Sequence, residues 1–138
     1  MLERIRMVSL RVRNKSAAEA WYTTKLGLKV LWRNETTVGI QAREDWGTVV
    51  VLVEAADPSR FEPEEGVHFT TSDIHKAYEQ VKASGVVDVE PIQTAGTTSA
   101  FCYHDSSGSP TFLWSELDVL NRPEEAAELM SRFIPVLA

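Results

Sequence analysis

Few residues in this chain carry reactive chemistry. There are three histidines, His68, His75 and His104, and one cysteine, Cys102. A histidine near its ordinary pKa of about 6.5 can serve as a general base, which makes His68 and His104 the candidates for proton transfer. His68 is open to two readings: a half-buried histidine bonded to a neighbour, or a pocket residue that touches ligand. His75 falls in the first turn of a helix and reads as a solvated surface group. Cys102 has no cationic neighbour in sequence and reads as an inert core thiol, not a nucleophile. These residue types alone assign no catalytic group.

Bulk properties narrow the field. A chain of 138 residues with 43% apolar content can fill one compact core. Its net charge of -6 argues against nucleic acid, where clustered Lys and Arg release counterions. The densest basic group, Arg4, Arg6, Arg11, Arg13 and Lys15, lies mostly on a strand, where alternate side chains point to opposite faces. A lone cysteine makes a reducing compartment the expectation. The opening MLERIRMVSL lacks a signal-peptide core, and no run reaches the roughly 18 apolar residues of a membrane span. A cytoplasmic protein without membrane or nucleic-acid partners is expected.

The elements that must position the histidines follow from periodicity. Ile5 to Val12 alternates as a strand with one packed face. Asn14 or Ser16 caps a helix, Ser16 and Glu19 forming a capping box. Ala17, Ala20, Trp21 and Leu26 share a stripe, and Gly27 stops the helix. Strands are expected at Leu28 to Trp32, Thr37 to Gln41 and Thr48 to Glu54. The last is apolar from Val49 to Val53 and should be buried on both faces. AADPSRFEPEEG reads as a loop.

The pattern then restarts. Val67 to Thr71 is a strand, Ser72 or Asp73 a cap, and IHKAYEQVKASG a helix ending near Gly85. Strands follow near Val86 to Val89, Ser99 to His104 and Pro110 to Trp114, with a hairpin turn at Asp105-Ser106-Ser107-Gly108. Asn14 and Asp73 lie 59 positions apart, Gly27 and Gly85 58 apart, which marks an internal repeat. NRPEEAAELMSRFIPVLA reads as a third helix, with Ala126, Leu129, Met130 and Phe133 as its stripe. It is expected on the outside of the domain or against a second subunit.

This organisation resembles the vicinal oxygen chelate superfamily, which includes glyoxalase I, bleomycin-resistance proteins and extradiol dioxygenases. The resemblance is carried by RMVSLRVRN, SAAEAWYTTKLGLKV, GVHFTTSDIHKAYEQVKASGV and FCYHDSSGSPTFLW in that order, spread over residues 4 to 115. It implies an α+β fold of two βαβββ modules forming a half-open barrel cleft, plus a C-terminal helix. The expected division is a domain over 1–118, with modules 1–62 and 63–118, and a helix over 119–138.

The resemblance also implies a metal held from the first and last strands of each half. Those positions fall on Met7, Gly66, Val51 and Phe112, none of which offers carboxylate oxygen or imidazole nitrogen. No metal and no other cofactor is therefore expected, unless His68, His104 and Glu54 rebuild a site. The same parity turns Met7, Ser9, Arg11, Val51, His68, Thr70, His104, Phe112 and Trp114 toward the cleft as ligand-binding residues, with Gly66 leaving room. Trp32 and Trp46 could rim it. The expected function is metal-free binding of a small, largely apolar or aromatic molecule, with Arg11 meeting an anionic group. The alternatives are a lyase, isomerase or dioxygenase using a rebuilt metal site or a histidine base, and a structural partner whose cavity is filled. The family commonly forms dimers, so a homodimer is expected.

Overall fold

A computed structural model describes residues 1–42, 47–63, 66–115 and 122–137, with side chains described as far as Phe133. Trp46, expected at a pocket rim, lies outside the described residues. The chain forms two compact units, Met1–Pro63 with Asp105–Gly108 and Glu64–His104 with Ser109–Ala138. The class is α+β, and the two units repeat one topology.

In the first unit β1 (Met7–Val12) leads into α1 (Lys15–Leu26), followed by β2 (Lys29–Arg33), β3 (Thr37–Gln41) and β4 (Val49–Glu54). The sheet order is β1-β4-β3-β2, with β1 parallel to β4 and the other neighbours antiparallel. The second unit repeats this with β5 (Val67–Thr71), α2 (Ile74–Ala83), β6 (Gln93–Ala95), β7 (Thr98–His104) and β8 (Pro110–Ser115), in the order β5-β8-β7-β6. The expected βαβββ restart is present.

Each helix covers one face of its own sheet. Leu10, Val12, Val38, Ile40 and Leu52 are buried on the α1 side with Ala18 and Tyr22. The sequence stripe through Ala17, Ala20, Trp21 and Leu26 was off by one position, for Ala17 and Ala20 are exposed. The cap explains part of the difference: Asn14 Oδ1 accepts the Ala17 N–H at 2.8 Å, and Ser16 plays no such role. The tyrosine also has a polar reason to point inward. Its hydroxyl donates to Asp105 Oδ2 at 2.7 Å, within the first unit. Gly27 closes α1 at φ 69°, the left-handed stop that its position suggested.

Two further expectations are corrected. Val86 to Val89 is not a strand, because Asp88 adopts φ 58° and breaks the extended run; the strand is Gln93–Ala95. Val49 to Val53 is not buried on both faces either. Val50 and Leu52 are buried on the α1 side, whereas on the other face Val49 is buried but Val51 and Val53 are only half-buried.

The third helix, α3 (Pro123–Leu137), lies where the sequence did not place it. It packs on the face of the second sheet opposite α2. Tyr78 of α2 meets Phe101 edge-on, while Ala100, Cys102, Phe112 and Trp114, of opposite parity, form one core with Ala95, Leu129 and Phe133. The stripe through Ala126, Leu129, Met130 and Phe133 has the i, i+3, i+4, i+7 spacing such a contact needs. Polar contacts fix its position. The Glu125 carboxylate accepts from the Thr97 N–H and hydroxyl, and these donors hold its pKa below the usual range. Gly96, at φ 61°, admits that carboxylate where a Cβ would collide with it. Arg132 donates to the Thr94 carbonyl at 3.0 Å.

Phe133 is 4% exposed and touches both Phe112 and Trp114, at ring separations of 5.0 and 6.0 Å. Phe133→Ala should cost about 3–5 kcal/mol. Urea denaturation followed by circular dichroism would check this, and a loss below about 1 kcal/mol would mean that the helix does not seal this face.

Candidate functional site

In the first unit, the face away from α1 carries Met7, Ser9 and Arg11 on β1, all exposed, beside half-buried Val51 and Val53. Ser9 pairs with Val51 and Arg11 with Val53, so these side chains adjoin on neighbouring strands. The centre of this face was not legible in sequence. Gly39 pairs with Val51 on one side and Trp32 on the other, and the Trp32 indole lies against the glycine where a Cβ would strike the ring. A bulge between Val30 and Trp32 brings this about. It leaves Leu31 unpaired and shifts parity, which turns Trp32 to the open face and Arg33 to the α1 side, where it bonds Glu19 at 2.7 Å.

Trp32 is also tethered. Its Nε1–H donates to Thr37 Oγ1 at 3.1 Å, and Asn34 Oδ1 accepts from the Thr37 N–H and hydroxyl. The one available signal was the lone glycine within TVGIQ, since glycine inside a strand often marks a close approach.

In the second unit, His68 and Thr70 are exposed on edge strand β5. His68 pairs with Phe112 and Thr70 with Trp114. The imidazole stacks on Phe112 at 4.3 Å, with planes 6° apart, and its Nδ1 accepts the Trp114 Nε1–H at 2.9 Å. Its pKa is lowered because these neighbours desolvate it. Phe112 and Trp114, expected as cleft wall, are 0% and 3% exposed within the α3 core. They support His68 from beneath and present almost no surface of their own. His104 is half-buried at the end of β7, opposite Pro110.

The other reactive groups resolve simply. The Cys102 thiol is buried, and desolvation pushes its pKa up to about 11, so it stays protonated and unreactive. His75 is exposed in α2. Glu54 Oε2 accepts the Lys15 N–H at 2.8 Å, supporting the start of α1. Among the described residues no three of His, Cys, Asp and Glu come close enough to hold a metal ion. Met7, Val51, Gly66 and Phe112 do not fit a divalent cation either, since valine, glycine and phenylalanine supply no donor atom and a lone thioether is soft and weak. Among the described residues no helix is long and apolar enough to cross a membrane.

Comparisons with known proteins agree with this architecture. Residues 4–110 match the sequence profile of the Glyoxalase/Bleomycin resistance protein/Dioxygenase superfamily. Biphenyl-2,3-diol 1,2-dioxygenase 2 of Rhodococcus globerulus is 28% identical over 134 residues, covering 90% of this chain and 67% of that one. The fold is similar to lactoylglutathione lyase from Agrobacterium tumefaciens, with TM-score 0.70, 15% identity and coverage of 83% and 95% of the two chains. It is equally similar to TnmS3, an antibiotic binding protein from Streptomyces sp. CB03234, with TM-score 0.70, 17% identity and coverage of 83% and 96%.

The desolvated His68 gives the folded protein a definite pH response. Above its ordinary pKa of 6.5 the imidazole is neutral in folded and unfolded chains alike. Below 6.5 the unfolded chain takes up the proton first, so stability falls as pH drops until the folded-state pKa is passed. The difference in urea midpoint between about pH 7 and pH 5 should shrink in His68→Gln. An unchanged difference would remove His68 as its source.

Proposed function

The chain belongs to the glyoxalase/bleomycin resistance protein/dioxygenase superfamily, and on that premise we propose that it binds a small, largely apolar or aromatic molecule without a metal. The observation that carries this reading is the open face of the first sheet. There a tethered indole lies on Gly39 beside Val51, Val53 and Met7, with Arg11 on the same face. Small-molecule sites combine apolar and aromatic walls with sparse polar groups that set orientation. Trp32 offers a π-face already held in place by Gly39 and Thr37, so little side-chain entropy is lost when a planar molecule stacks on it. Arg11 suits a carboxylate or phenolate on that molecule.

The names of the relatives span binding and catalysis, which leaves the choice to the residues. The positions expected to hold a metal supply no hard donors, and Cys102 is not a nucleophile. These features support binding over turnover.

A panel of aromatic carboxylates and matched aliphatic carboxylates, screened by thermal shift with EDTA present, tests the reading. Aromatic members should stabilise the protein and perturb the Trp32 indole N–H resonance. Trp32→Ala should weaken the best of them roughly tenfold. Stabilisation that vanishes with EDTA, or that ignores the aromatic ring, would overturn it. Gly39→Ala provides an independent check, since the added Cβ must displace the indole and break its bond to Thr37. Its Trp32 N–H resonance should move before any compound is added.

A further inference from the structure

We infer that Gln41 is a fixed hydrogen-bond acceptor on the open face of the first sheet, met by an O–H or N–H donor of the bound aromatic molecule. The inference rests on the binding reading above and adds to it the polarity of one end of that molecule. Gln41 ends β3 two residues after Gly39, so its side chain leaves the sheet on the same face. It is 6% exposed, and its Nε2 donates to the Gly47 carbonyl. A carbonyl oxygen can only accept, so the amide nitrogen must be the atom turned to it. Reversing the amide would set two acceptors together. Oε1 is fixed by the same bond, and it accepts from none of the described residues.

The polar groups around the indole are already committed. Trp32 gives its single N–H to Thr37 Oγ1, and the Thr37 hydroxyl donates to Asn34 Oδ1. Neither proton is left for a ligand. Gln41 therefore decides which polar group a molecule lying on Trp32 can place at its own end of the face.

The register of the sheet orders these groups. Gly39 lies between Val51 and Trp32 in the central rung. Arg11, Val53 and Thr37 form the rung on one side, and Gln41 pairs with Lys29 in the rung on the other. Successive rungs of one face are about 7 Å apart. A planar molecule stacked on Trp32 thus has Arg11 toward one end and Gln41 toward the other. Its anionic group and its donor belong at opposite ends, which describes a phenolic or amino-aromatic acid. A molecule that offers Gln41 only another acceptor sets lone pairs face to face and displaces water without replacing its bond.

Three acids added to the ¹⁵N-labelled full chain at about pH 7, where a phenol keeps its proton, test this. In para-hydroxybenzoate the donor stands opposite the carboxylate. Its methyl ether, para-methoxybenzoate, lacks that proton, and salicylate turns the hydroxyl onto its own carboxylate. The para-hydroxy acid should bind roughly tenfold more tightly than either of the others, and it alone should shift the Gln41 side-chain amide resonances. In Gln41→Met the three affinities should converge. Equal affinities in the wild-type chain, or a preference that Gln41→Met retains, overturn the inference. The wild-type comparison decides by itself where the variant does not fold. If all three acids shift the Trp32 N–H resonance without discrimination, the binding reading survives alone; if none shifts it, both ideas fall.

Discussion

The face of the second sheet that α2 does not cover carries Ala100, Cys102, Phe112 and Trp114, too much apolar surface to leave in water. The protein removes that surface with α3, whose Leu129 and Phe133 close over it. The features of the second unit that bear on function follow from this contact. Phe112 and Trp114 are packed on both sides; His68 is stacked and hydrogen-bonded on them, and the β5 edge keeps exposed polar groups, His68 and Thr70, on that face. Glu125, Arg132 and their partners around Thr97 and Thr94 add direction to a contact that burial alone would leave free to slide.

The first unit treats its second face differently. The described residues place no helix of that unit on it, and its apolar groups are half-buried side chains around one tethered tryptophan. A bulge and a glycine suffice to lay an indole flat on the sheet. The two modules share strand order and hydrogen-bonding pattern, yet one buries its second face and the other keeps side chains on it exposed. Equal topology therefore does not mean equal chemistry, because function resides in the side chains a face carries.

The chain has the scaffold of its superfamily, and the positions that the resemblance would assign to a metal, Met7, Val51, Gly66 and Phe112, carry neither a carboxylate oxygen nor an imidazole nitrogen. Met7 and Val51 occupy one face of adjoining strands, and Phe112 adjoins the strand that follows Gly66. The histidine beside Phe112 has its Nδ1 lone pair engaged by an indole.

The sequence by itself determined the repeated βαβββ order, the helix starts to within the cap pairs Asn14 or Ser16 and Ser72 or Asp73, and the parity that exposes Met7, Ser9, Arg11, His68 and Thr70. These are local properties, written in alternation and in capping residues, and they need no distant partner. It also read Cys102 as a core thiol, because no cationic neighbour adjoins it in sequence, and the thiol is buried. Only the tertiary structure decided which face α3 covers, since an amphipathic stripe states that it must be buried but not against what. Only it decided that Trp32 faces outward, since one bulged residue reverses side-chain parity and leaves no mark on the hydrophobic pattern. The pairing of Trp114 with His68 was equally hidden, because 46 positions of sequence separate a donor from an acceptor that two parallel strands bring side by side.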